Sequence, residues 1–183
     1  MHRKTRRFLD EPGHAQFFTF SCARRLPLLK SDRARNWLVE SINRVRQKQR
    51  IALWAYVFMP EHVHLLLKPL DAKVEMSKVS AAIKFPVSRK AHDHLVETSR
   101  EDWIQKLTVM KGAREVFQFW QPGTGYDENF WHVRPLREVI DYIHANPVRR
   151  GITERPTDWK WSSARAHAGL EIGPIPVDPI DWS

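Results

Sequence analysis

Two short stretches hold the residue types that can do chemistry. In "FMPEHVHLLLKP", residues 58–69, His62 and His64 stand one residue apart inside an otherwise apolar run. Alternate residues of a strand project to the same face, so the two imidazoles lie side by side and can chelate one divalent ion, while Val63 points the other way. A lone strand histidine is more often a satisfied structural residue, but two unpartnered imidazoles in an apolar run cost desolvation energy unless something pairs with them. A third ligand is needed. In "RPLREVIDYIHANPVRRG", residues 134–151, Leu136, Val139, Ile140 and Ile143 form a helical stripe with Tyr142 on its flank. Asn146 lies one turn on, on the same flank, so a hydroxyl nucleophile and a carboxamide ligand can face one point. Taken singly, a tyrosine beside a stripe is ordinarily a core-edge packer, and an asparagine before proline ordinarily ends a helix. The histidine pair does not fit a zinc protease, because "EHVH" is not His-Glu-x-x-His and lies in strand-like sequence.

The elements that must position these residues can be read along the chain. "HAQFFTFSC", residues 14–22, reads as a first strand. Ser31 or Asp32 caps a helix through about Gln49, with Ala34, Leu38, Ile42 and Val45 at core spacing. Residues 51–59 and 62–69 read as an antiparallel pair joined by "PE". A second helix covers about 73–93, with Met76, Val79 and Ile83 on one face and Pro86 expected to kink it or end its regular part. Residues 94–114 have no clear assignment. "EVFQFW" and "NFWHV", residues 115–120 and 129–133, read as strands around a glycine-containing loop, and Pro135 suits the first turn of a helix running to about Asn146. This order predicts an α+β fold with an antiparallel, ferredoxin-like sheet and helices packed on it. The 183 residues fit one domain, with residues 1–13 as a basic arm and 169–183 as a proline-rich tail.

Charge is one-sided. The net charge is +9, and residues 1–50 hold 13 Lys or Arg against 4 Asp or Glu, while the remainder holds 17 of each. Such a surface suits a polyanion, nucleic acid or anionic membrane, although a solvated face is the plainer explanation. Cys22 is the only cysteine, which excludes an intrachain disulfide and a cysteine zinc finger and fits a reducing cytoplasm. No apolar run of membrane-spanning length and no export signal is expected.

"MPEHVHLLL", "IDYIHANPVRRGI" and "DWKWSSARAH" together resemble the REP-associated tyrosine transposases, relatives of the single-tyrosine insertion-sequence transposases in the HUH nuclease superfamily. The resemblance runs from about residue 15 to about residue 168. It implies an HUH nuclease core, with Tyr142 as nucleophile and His62, His64 and Asn146 as ligands of Mg²⁺ or Mn²⁺, zinc being at most adventitious. Glu61 stands where relatives often carry Asn, and the "PGTGYDENF" loop is longer than in many of them. Tyr56, in a strand, and Tyr126, in that loop, compete poorly as nucleophile. The implied activity is cleavage and strand transfer on single-stranded DNA beside a palindromic hairpin, through a 5′-phosphotyrosine.

The implied partners are hairpin DNA and no membrane, with the protein a monomer or homodimer in a bacterial cytoplasm, associated with the nucleoid. Arg3, Lys4, Arg6, Arg7, Arg24 and Arg25 are the expected DNA-binding cations. Trp120, Phe130 or Trp131 can stack on unpaired bases, although core packing is the commoner role for a tryptophan. Two other functions share these features: a hairpin-binding protein whose catalysis has decayed, and a replication-initiation or relaxase enzyme. An intact Tyr142 and histidine pair speak against the first. Relaxases usually add a third histidine to the cluster and have larger chains, which the "DYIHANP" helix does not match.

Overall fold

The computed structural model describes residues 15–71, 73–123 and 136–180. Its elements are β1 (Gln16–Ser21), α1 (Asp32–Gln49), β2 (Ile51–Phe58), β3 (His62–Pro69), α2 (Met76–Glu97), α3 (Glu101–Leu107), β4 (Thr108–Lys111), β5 (Arg114–Phe117), α4 (Leu136–Arg149) and α5 (Ala164–His167). The main sheet is antiparallel in the order β1-β3-β2, and β4-β5 form a separate hairpin. That order is the centre of a ferredoxin-like sheet. The fourth position, beside β1, is taken by a short segment in which Trp120 bridges Cys22 and the Gln121 N–H donates to Ser21 O at 2.8 Å.

Alternation along the strands divides the core in two. Phe18 and Phe20 of β1 and Val63, Leu65 and Leu67 of β3 face α1 and α2. Phe17 of β1 and Leu66 of β3 face the other way, onto Val139, Ile140 and Ile143 of α4. His62 and His64 have the parity of Leu66, so they open toward α4. A bulge at Trp54 shifts the register of β2 between Leu53 and Ala55, so Leu53 and Tyr56 share the α1/α2 side although three positions apart.

Two helices run through prolines where the sequence predicts a kink or an end. Helix α2 continues past Pro86 to Glu97. Proline has no N–H for the Ala82 carbonyl, and the Ser41 hydroxyl of α1 supplies a substitute, reaching Ala82 O at 3.2 Å and Ile83 O at 2.8 Å. Helix α4 continues past Pro147 to Arg149. Here the carbonyl left without a donor is that of Ile143, and the Asn146 Nδ2 lies 3.5 Å from it. The span 94–114, unassigned from sequence, holds the end of α2, α3 and the first strand of the hairpin.

The C-terminal residues cover the free edge of β2. Phe58 N–H donates to Trp161 O, Asp178 N–H to Leu53 O, and Asp178 Oδ2 accepts from Leu53 N–H, each within 2.7–2.8 Å. Two cations of the basic first third hold this segment. Arg46 pairs with Asp178 at 2.7 Å, and the buried Arg35 guanidinium lies 4.9 and 5.3 Å from the rings of Trp159 and Trp161. Part of the charge excess is therefore internal scaffolding.

Candidate active site

Strand β3 presents His62 and His64 on one face, both buried, with ring centroids 4.8 Å apart. Each has its Nδ1 engaged. His64 Nδ1 meets the Thr19 hydroxyl of its cross-strand partner in β1 at 2.8 Å, and His62 Nδ1 meets Glu61 Oε1 at 3.2 Å. A carboxylate can only accept, so Nδ1 of His62 carries the proton and its Nε2 lone pair is left for the site. Thr19 can do the same for His64 by accepting. Phe17 of β1 stacks on His64 at 5.3 Å and closes one side.

Helix α4 brings the remaining groups over this strand. Its apolar stripe buries Val139, Ile140 and Ile143, and leaves Tyr142 half-buried on the flank. The Tyr142 ring is edge-on to His64 at 5.5 Å and to Phe17 at 6.1 Å, and the Arg149 guanidinium lies over it at 5.2 Å. Asn146 is buried, its Nδ2 donates to Tyr142 O at 2.8 Å, and its side chain lies close enough to both imidazoles to influence their titration. With Nδ2 spent on the helix backbone, Oδ1 is the atom left to face a ligand. The two imidazoles and the Asn146 side chain are thus neighbours at the foot of α4. With both histidines protonated on Nδ1, this trio would offer acceptors alone, a set that suits a cation. Among the described residues no cluster of three or more His, Cys, Asp or Glu is placed to hold a metal, so a carboxamide must complete any such set.

Burial sets the protonation of these groups. It depresses His64 to about 3, with the charge of His62 adding to the effect and the nearby Asn146 side chain opposing it. Burial also lowers His62, against the pull of Glu61. Both are neutral near pH 7 and available as ligands. His144, on the side of α4 away from Tyr142, is likewise pushed down to about 3 by burial and by the nearby His167. An unfolded histidine takes its proton near about 6.5, so between there and the folded values the unfolded chain binds more protons. Stability is therefore full above that pH and is lost as pH falls toward 3, by up to about 1.4 kcal/mol per pH unit for each such histidine. Urea unfolding at pH 7 and pH 5 should show a clear drop in midpoint; equal midpoints would mean that these histidines are solvated.

The other expected site residues fall out as follows. Arg24 and Arg25 are exposed just after β1, both with left-handed backbone (φ 53 and 54°), a conformation that non-glycine residues seldom adopt. The charge of Arg25 is felt at both His62 and His64, so this turn borders the site. Arg3, Lys4, Arg6, Arg7, Tyr126, Phe130, Trp131, Pro135 and the strand at 129–133 lie outside the described residues. Trp120 is buried against Phe20 and donates to Lys84 O at 3.0 Å, which removes it as a base-stacking surface. Tyr56 is fully buried, and its hydroxyl accepts from the Ile175 N–H at 3.1 Å, so it is no nucleophile.

Sequence reasoning missed the supporting residues. His144 reaches the Ser163 hydroxyl at 2.8 Å, and that hydroxyl accepts from Tyr56 N–H at 2.9 Å, which pins α4 to β2 through the "WSSARAH" segment. The serines and histidine of that stretch were its signal. Thr19 gave none, because its partner is set by cross-strand register.

Residues 14–111, more than half of the chain, match the family described as "Transposase IS200 like". The chain belongs to the IS200-like transposase family. Membership places it among DNA-processing enzymes. Over 93% of its length it is 24% identical to the REP-associated tyrosine transposase of Escherichia coli (strain K12), covering 86% of that protein. It is also 24% identical to the putative REP-associated tyrosine transposase of Haemophilus influenzae (strain ATCC 51907 / DSM 11121 / KW20 / Rd), over 93% of the chain and 88% of that protein. Its fold is that of a solved REP-associated tyrosine transposase bound to a REP hairpin (TM-score 0.64, 24% identity, all of this chain and 96% of that one). No helix among the described residues is long and apolar enough to cross a membrane.

Proposed function

We propose that this transposase is a metal-dependent single-stranded DNA endonuclease and strand transferase that uses Tyr142 as nucleophile beside REP-like hairpins. The observation that carries this reading is that the His62 and His64 rings lie side by side beneath the helix that bears Tyr142 and Asn146. The solved relative holding a REP hairpin supports the choice of DNA.

In the cleavage step the Tyr142 hydroxyl loses its proton to solvent as its oxygen bonds to phosphorus, the bond from phosphorus to the 3′ oxygen breaks, and the departing oxygen takes up a proton to end as a 3′-OH. The 5′ phosphate stays on the tyrosine. Because a phosphodiester is exchanged for a phosphodiester, a 3′-OH can attack the adduct and release Tyr142 without ATP. His62, His64 and Asn146 would hold Mg²⁺ or Mn²⁺, which, when bound, neutralises charge on the non-bridging phosphate oxygens. Phe17 and Tyr142 enclose His64 and limit its access to water. Arg149, over the Tyr142 ring, and Arg25, at the border of the site, would meet phosphates of the bound strand. A hairpin oligonucleotide with a short single-stranded flank, labelled at its 3′ end, tests the polarity. The label should move with the protein in Mn²⁺, and the released 5′ fragment should be extendable by a polymerase. A label that follows the protein only from the 5′ end would reverse the assignment, and no transfer at all would favour a protein that binds without cutting.

The N-terminal cations give a separate expectation. With about five phosphate contacts the slope of log K against log salt should be about −3.5 to −4.5. Changing Arg3, Lys4, Arg6 and Arg7 to Ala should flatten that slope and weaken all sequences alike, leaving the preference for the hairpin over a scrambled strand intact. A full slope in the quadruple variant would take the arm off the DNA.

A further inference from the structure

Glu61 does more than fill the turn between β2 and β3. Its backbone is fixed, the carbonyl accepting from Cys22 N–H at 2.8 Å while neighbouring Pro60 O accepts from Leu29 N–H at 2.9 Å. The side chain is buried, and one oxygen, Oε1, takes two donors: His62 Nδ1 at 3.2 Å and Arg150 Nη2 at 2.7 Å. Arg150 follows the last residue of α4, and its own N–H donates to Asn146 O at 3.1 Å. A single carboxylate oxygen therefore touches the strand that presents the imidazoles and the end of the helix that presents Tyr142 and Asn146.

A buried carboxylate is costly unless both its charge and its lone pairs are used. Arg150 answers the charge, and His62 takes a lone pair in the one way that leaves Nε2 unprotonated. At its Nδ1, His64 by contrast meets the neutral hydroxyl of Thr19. The two imidazoles are thus held unequally, one by a charged acceptor linked to α4.

We propose that Glu61 is a positioning residue of the active site, which fixes the tautomer and angle of His62 and, through Arg150, sets α4 at the height that brings Tyr142 and Asn146 over β3. The inference rests on the metal-and-tyrosine reading above, but half of it can be read without metal or DNA. In ¹⁵N correlation spectra of the metal-free protein, His62 should carry its proton on Nδ1. Glu61→Ala should move that proton toward Nε2, whereas Glu61→Gln, which keeps the shape and can still accept, should retain the Nδ1–H form and serve as the control for folding.

Mn²⁺ affinity measured by calorimetry should fall about 10- to 100-fold in Glu61→Ala, the usual effect of removing a group that orients a metal-ligating histidine. Arg150→Met should weaken Mn²⁺ binding less than Glu61→Ala does, since of the ligands only Asn146 rides on α4, while lowering kcat on the labelled hairpin at saturating Mn²⁺. Arg150→Lys should restore part of that kcat. An Nε2–H tautomer in the wild type, or unchanged Mn²⁺ affinity in folded Glu61→Ala, would overturn the role of Glu61. An Arg150→Met effect confined to KM would make Arg150 a phosphate contact and overturn the link to α4. Absence of Mn²⁺ binding by the wild type, with the tautomer change intact, would defeat the metal reading and leave the hold of Glu61 on His62 standing.

Discussion

Tyr142→Phe should bind hairpin DNA as the wild type does and cut it at least about a thousandfold more slowly, the scale on which loss of a covalent nucleophile is felt. Only the hydroxyl oxygen is removed. The ring keeps its edge contacts with His64 at 5.5 Å and Phe17 at 6.1 Å, and Arg149 keeps a face to lie over. The substitution therefore separates chemistry from folding and from DNA affinity. Gel-based cleavage of a labelled flanked hairpin, beside a binding titration in the same buffer, measures both. Cleavage at the wild-type rate would transfer the nucleophile to another residue, and Tyr56 is a poor heir because it is sealed in the core with its hydroxyl on the Ile175 amide.

The His62→Ala, His64→Ala double variant should lose metal-dependent cleavage and its response to Mn²⁺. Asn146 is then the only donor left of the three, and a single neutral carbonyl oxygen holds a divalent ion weakly in water. The wild type at about 100 times the dissociation constant should gain about 2.7 kcal/mol of stability, which for a chain of this size raises the thermal midpoint by about 5–10 °C. The double variant should show no such rise. It removes two rings packed against Phe17, Tyr142 and each other, so its midpoint without metal is the necessary reference. An active double variant whose wild type is indifferent to Mn²⁺ would remove the metal from the mechanism.

Local pattern carried much of the fold. Ser31 caps α1 as expected, with its hydroxyl accepting from Ala34 N–H at 3.2 Å, and β2 and β3 pair antiparallel across their short turn. Spacing likewise puts His62 with His64 and Tyr142 with Asn146, because i, i+2 in a strand and i, i+4 in a helix are local geometry. What brings the two pairs together is the packing of α4 on the sheet face opposite α1 and α2, a tertiary fact with no period of its own. The prolines misled for the same reason. Pro86 should disturb a helix in isolation, but Ser41 lies 45 residues away in sequence and supplies the donor that proline lacks. Glu61 was visible only as a departure from a family pattern. Its function depends on Arg150, 89 residues later, and no window of sequence contains both.

Whether Tyr142 forms the covalent bond to DNA is read at the residue itself by peptide mapping of the trapped adduct. The protein would be incubated with a flanked hairpin oligonucleotide in Mn²⁺, denatured, treated with nuclease and digested with trypsin. Cleavage after Arg137 and Arg149 yields the peptide EVIDYIHANPVR, in which Tyr142 is the sole tyrosine. This peptide should carry a residual 5′-nucleotide phosphate on Tyr142. A nucleotide found instead on the peptide that contains Tyr126 or Tyr56, or cleavage that proceeds with no peptide modified, would contradict it.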